Sequence, residues 1–218
     1  MSAVLRATPG AGDGAGPGRP FALAGHPARW PATCSIGLWV FIGVATTLFS
    51  LFIAAYVMRL ANADASAIAM PWQLALSSSW LLLSSLLLQG AAHATLSGRP
   101  ERGRVWLAAA GGCALAFLAA QGWAWQALLA QQVSPTGNPA ASFFYVLTAL
   151  HALHLAGGLA GWSLAARAAW RERDPAAAAW RIALCARYWH FLLLVWLALY
   201  ACFTWITPEV ARVICRAP

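Results

Sequence analysis

The chain has 218 residues, 61% of them hydrophobic and only 9% charged, with a mean hydropathy of +0.64. A soluble domain is about a quarter charged, so this chain cannot cover itself with polar surface and reads as an integral membrane protein. Its formal charge of +8 rests on arginine alone, with no lysine. The arginines lie at the ends of apolar runs, where they orient the chain, which argues against nucleic-acid binding. Five scattered cysteines (Cys34, Cys113, Cys185, Cys202, Cys215) form no C-x-x-C pair, which argues against a disulfide, zinc or iron–sulfur framework.

Residues 1–34 are rich in Gly, Ala and Pro and contain no apolar run that could serve as a signal-peptide core. They read as a disordered or surface-exposed cytoplasmic arm. Five apolar segments follow, at about 35–59, 72–97, 104–130, 141–168 and 181–207. Each is long enough to cross roughly 30 Å of hydrocarbon at about 1.5 Å per residue. The breaks at Asn62–Pro71, Ser97–Gly103, Gln131–Pro139 and Arg171–Pro175 carry turn-forming residues. The expected fold is therefore all-α: a membrane domain of five helices over 35–207, with 208–218 a short external tail.

Orientation follows from the arginines. Arg6, Arg19, Arg29, Arg99, Arg102, Arg104, Arg167, Arg171, Arg173, Arg181 and Arg187 fall on one side; Arg59, Arg212 and Arg216 fall on the other. The positive-inside rule then places the N-terminus in the cytoplasm and the C-terminus outside. Trp39, Tyr56, Trp72, Trp106, Trp180, Tyr188, Trp189 and Trp205 sit where interfacial belts are expected. Gly157 and Gly161 form a G-x-x-x-G, and Gly112 leads a four-residue repeat with Ala116 and Ala120. These predict helix-packing faces, as do Ser77/Ser84 and Ser78/Ser85 at seven-residue spacing.

Ionisable groups inside a span are costly and need a reason. His151 and His154, at i, i+3 on one face of the fourth span, lie roughly 15 to 20 Å from its outer end by helical rise. His190 follows Arg187 by three residues, so its expected depth is about 5 Å, and His93 lies about 9 Å from Arg99. On this reading His154 and His190 are separated by roughly 15 Å, too far to share a haem, whereas His93 and His190 share a depth. No acidic residue joins the histidines: Asp13, Asp64, Glu101, Glu172, Asp174 and Glu209 all lie outside the spans. A metal site is disfavoured for that reason, and so is a self-sufficient proton pump or ion-coupled carrier. Neutral imidazoles joining helices by hydrogen bonds are the leading reading.

Three stretches carry a resemblance: GLWVFIGVATTLFSLFIAAYVMR (Gly37 to Arg59), NPAASFFYVLTALHALHLAGGL (Asn138 to Leu159) and YWHFLLLVW (Tyr188 to Trp196). They resemble subunit III of the haem–copper terminal oxidases, the cytochrome c and quinol oxidase family, in its short five-helix form. The family patterns are G-x-W-x-F-x-x-x-E…F-A-A-Y, F-F-x-L-T-G-x-H-x-x-H and Y-W-H-F-x-D-x-x-W. The resemblance implies a subunit with no redox centre and no catalytic residue. Its main partner is subunit I, which carries the haems and copper, reduces oxygen and pumps protons; subunit II is a second partner. Bound phospholipid and a bacterial inner-membrane location are also implied. His151, His154, His190, Trp39, Tyr188 and Trp189 then fall on family-type structural, partner or lipid-contact positions. Two departures stand out: the family's buried Glu falls on Ala45, and its Asp in the last span falls on Leu193. A role in proton transfer built on those carboxylates has no residues here. The same motifs also suit the subunit-III-like accessory protein of nitric oxide reductases. A small membrane haem protein using His93 and His190 is the alternative from a different class.

Overall fold

The computed structural model describes residues 30–62, 70–134, 139–171 and 174–216. It contains six helices in these segments: α1 Trp30–Leu60, α2 Gln73–Leu96, α3 Pro100–Ala130, α4 Pro139–Arg171, α5 Pro175–Trp205 and α6 Pro208–Arg216. The first five are long and apolar enough to cross a membrane, so the all-α five-span architecture expected from hydropathy is the one the chain adopts. Residues 1–29 of the expected arm lie outside the described residues. Its last part, Trp30 to Cys34, belongs to α1.

The turns explain how successive helices fold back on each other. Gly98, with φ of +73°, closes α2 in the left-handed conformation that favours glycine. The Arg99 amide donates to the Ala94 carbonyl and the Gly98 amide to the Thr95 carbonyl, a Schellman stop. Pro100 then opens α3 at a position where its missing N–H costs nothing. The result is a tight α2–α3 hairpin, the most extensive helix pair in the bundle. At the head of α5, Asp174 caps the helix by accepting from the Ala176 amide at 2.9 Å, and Pro175 follows.

α5 packs across both α2 and α4, α3 also touches α4, and α1 lies at the edge against α4 and α5. Neighbouring contacts fix the register. Along α4 and α5, Phe144 meets Phe203, His151 meets Trp196, and Tyr188 reaches the His154 carbonyl. Along α2 and α5, Ser78, Ser84 and Ser85 meet Trp196, Trp189 and His190. Both pairs are antiparallel.

Four expectations change. The 208–218 tail contains α6, which packs on α1 through buried Ala211. Trp189 and Tyr56 are core residues rather than belt residues: Trp189 is wholly buried, and Tyr56 stacks edge-on against Phe203. The seam glycines also differ. A Cβ at Gly112, Gly157 or Gly161 would meet nothing within 4 Å, so these three face away from neighbouring helices of the described bundle. The close approaches fall at Gly90 on Trp106, Gly103 on Thr95, Gly111 on Trp162 and Gly158 on Trp189 and Tyr188. Finally, the histidine depths differ. α5 begins at Pro175, so Arg187 lies well inside the helix and does not mark its end.

Candidate functional site

Five of the residues singled out by the motifs, His151, His154, Tyr188, Trp189 and His190, gather along one seam between α1, α2, α3, α4 and α5. Its lower rung is formed by α2 serines. Ser84 donates to the Ala110 carbonyl of α3 at 2.8 Å and accepts from the Trp189 indole of α5 at 2.9 Å. Ser78 accepts from the Trp196 indole at 2.9 Å, and Ser77 accepts from the Gln121 amide at 3.0 Å. The seven-residue serine spacing thus encodes a polar ladder tying α2 to α3 and α5. Such bonds are worth about 0.6–2 kcal/mol each between membrane helices.

His190 joins this ladder. Its Nδ1 contacts the Ser85 hydroxyl, and its Nε2 lies 3.2 Å from Gln89 Oε1. Because the amide oxygen only accepts, Nε2 carries the proton and Nδ1 accepts from the serine. Both nitrogens are thereby engaged within the bundle. His93 sits eight residues beyond Ser85 on α2, about 12 Å along the axis by helical rise, and its side chain is exposed. The shared depth expected for His93 and His190 is therefore not found, and these residues do not fit a bis-histidine haem. Among the described residues, no group of three His, Cys, Asp or Glu could hold a metal ion.

His154 and His190 are close in depth instead. The α4–α5 register sets His190 three residues from the level of His154, about 5 Å. His154 Nδ1 donates to the Leu150 carbonyl of its own helix at 2.7 Å. Its ring lies 5.9 Å from Phe41 and 5.2 Å from Phe49 on α1, and Tyr188 donates to its backbone carbonyl at 3.0 Å. So Tyr188, Trp189, His190 and His154 form one layer. Trp39 stands apart, 62% exposed on α1.

His151 is different. It is wholly buried, and neither ring nitrogen has a hydrogen-bond partner among the described residues. Its ring is boxed by Trp196 at 5.1 Å, Phe117 at 5.7 Å and Phe49 at 6.4 Å. The interhelical hydrogen bond expected of it is absent; aromatic packing from three helices holds it. Ala45 is buried one turn from Phe49, and Leu193 is buried three residues from Trp196. Apolar side chains occupy both positions where the resemblance expects carboxylates.

These two environments predict opposite responses. His151→Phe removes two unsatisfied polar atoms and keeps a ring of similar shape, so stability should be unchanged or higher. His190→Phe leaves Ser85 and Gln89 unpartnered and should cost about 1–3 kcal/mol. Thermal unfolding of both variants in detergent checks the order; a larger loss for His151→Phe would contradict it.

Sequence reasoning missed Phe117, Phe49, Trp196 and Gln121. Two signals were available: Trp196 closes the Tyr188–Trp196 motif, and Phe49 lies eight residues from the motif's Phe41, within the same broad stripe of α1.

Comparison with known proteins gives a consistent picture. No family model matches the chain. It is 27% identical over 191 residues to a protein of Nocardia farcinica named probable cytochrome c oxidase subunit 3, covering 85% of this chain and 94% of that protein. A protein of the same name from Mycobacterium bovis is 28% identical over 181 residues, 80% of this chain and 89% of that one. The cytochrome c oxidase subunit 3 of Synechocystis sp. is 30% identical over 128 residues, 56% of this chain and 52% of that protein.

Proposed function

We propose that this chain, similar over most of its length to proteins named probable cytochrome c oxidase subunit 3, is the non-catalytic third subunit of a bacterial haem–copper oxidase. In this reading it lies in the cytoplasmic membrane with its N-terminus inside, as the arginine distribution directs. It stabilises subunit I, where haem and copper support oxygen reduction coupled to proton translocation, and it also contacts subunit II and phospholipid. One observation carries the reading: the similarity runs over 94% of the Nocardia farcinica protein and 89% of the Mycobacterium bovis one, and four of the motif residues, Tyr188, Trp189, His190 and His154, meet in a single layer of the bundle.

The chemistry of that layer supports a scaffold. It contains no carboxylate, its imidazole His190 is engaged at both nitrogens, and its serine ladder spends its donors and acceptors on joining helices. In this reading oxygen reduction and electron transfer belong to the partner subunits.

Affinity purification of the tagged chain from native membranes tests this. Co-elution with oxidase subunits I and II, and with a haem spectrum that is lost when those subunits are stripped away, is the expected result. Recovery as a free monomer, or with a nitric oxide reductase, would sink the proposal.

A further inference from the structure

Only two residues, Ile206 and Thr207, separate the end of α5 from the start of α6. A connection this short keeps α6 at the level where α5 leaves the bilayer. Thr207 starts the helix by offering its hydroxyl to the Val210 amide. Pro208 and Ala211 are buried, and the helix rests on α1. At 100° per residue, three faces separate. Pro208 and Ala211 point to the bundle. Val210, Val213 and Ile214 form an adjoining apolar edge that is 42%, 73% and 54% exposed. Glu209 and Arg212 occupy the remaining, polar face, and both are exposed. Trp205, at the last turn of α5, is 78% exposed at the same end of the molecule.

We infer that α6 is a membrane-surface helix whose Val210–Val213–Ile214 edge is buried in the headgroup–acyl boundary of a phospholipid leaflet. Three exposed branched apolar side chains on one edge of a nine-residue helix are unfavourable in water and favourable at that boundary. By the same rotation Glu209 and Arg212 centre about 120° round the helix from that edge, on the side that stays with headgroups and water, and Trp205 is the kind of residue that settles at headgroup level. Seated in this way, α6 fixes the height of α5 and covers the end of α1. The inference rests on the membrane-spanning architecture alone and holds whichever complex the chain joins.

The test uses the full chain in phosphatidylcholine vesicles, with the exposed Cys34 and Cys215 replaced by serine. A polarity-sensitive fluorophore is attached at Val213→Cys, or at Arg212→Cys on the polar face. The 213 probe is expected to be quenched several-fold more by lipids brominated near the top of the acyl chain than by aqueous iodide, and the 212 probe the reverse. Equal iodide quenching at both positions would overturn the inference by showing a helix in water. Protection of 213 from both quenchers would overturn it too, by showing a protein contact. If Val213→Cys fails to fold, Ile214→Cys reports from the same edge.

Discussion

Trp189→Ala is expected to destabilise the bundle by about 3–5 kcal/mol, the range for emptying a buried aromatic site. Trp189 is one of the two largest wholly buried side chains, with Trp196 the other. Its indole fills the space left by Gly158 on α4 and donates to Ser84 on α2, so one side chain connects α5 to two neighbours. In lipid no hydrophobic driving force holds helices together, and contact packing and interhelical hydrogen bonds must do so. A void at position 189 removes both from the centre of the α2–α4–α5 junction. Trp205→Ala, at an exposed position, should leave stability nearly unchanged. Denaturant titration in mixed micelles reads the difference; similar midpoints for the two variants would refute the central role of Trp189. Under the proposed function, Trp189→Ala should also reduce recovery of partner subunits on purification, because the layer beside it is disrupted.

The architecture was legible because it rests on a one-dimensional signal. About twenty apolar residues between turn-formers make a span whatever surrounds it, and Gly98, Pro100 and Pro175 mark helix ends by backbone chemistry alone. Which side of each span faces its neighbours was not legible. Lipid is as apolar as a protein core, so a spanning helix need not be amphipathic, and α3 reads much the same all round. Hence Gly112 and Gly111 look equivalent in sequence, although only Gly111 meets a neighbour. Tryptophan suffers the same ambiguity: Trp205 sits exposed at a helix end, whereas Trp189, one residue from a motif tyrosine, is core. The histidine depths are hidden in the sequence for a separate reason. In sequence Arg187 looks like the edge of the span, but α5 already runs twelve residues before it. The layer joining His154 to His190 emerges only once antiparallel register is known. α6 carries no such one-dimensional signal, because nine residues are too few to span.

Gly111 and Gly112 offer the sharpest test of that register, because adjacent and chemically identical residues should respond with opposite signs. A Cβ at Gly111 would fall on the Trp162 ring of α4. That ring cannot swing away freely, since its Nε1 donates to the Leu107 carbonyl one turn back on α3 at 2.9 Å. Gly111→Ala therefore forces the α3–α4 contact apart or breaks the bond, at about 1–3 kcal/mol for overpacking and about 1 kcal/mol for the bond. The gain in helix propensity, about 1 kcal/mol, offsets only part of this. Gly112→Ala meets nothing within 4 Å and keeps the full gain, so it should stabilise by up to about 1 kcal/mol. Gly90→Ala should fall between them. Its Cβ meets the Trp106 ring, but that ring is partly exposed and free to move outward. Unfolding midpoints of the three variants in one detergent should rank Gly112→Ala highest and Gly111→Ala lowest. The reverse order would mean that α3 is turned by one residue relative to α4, with Gly112 at the seam and Gly111 facing lipid.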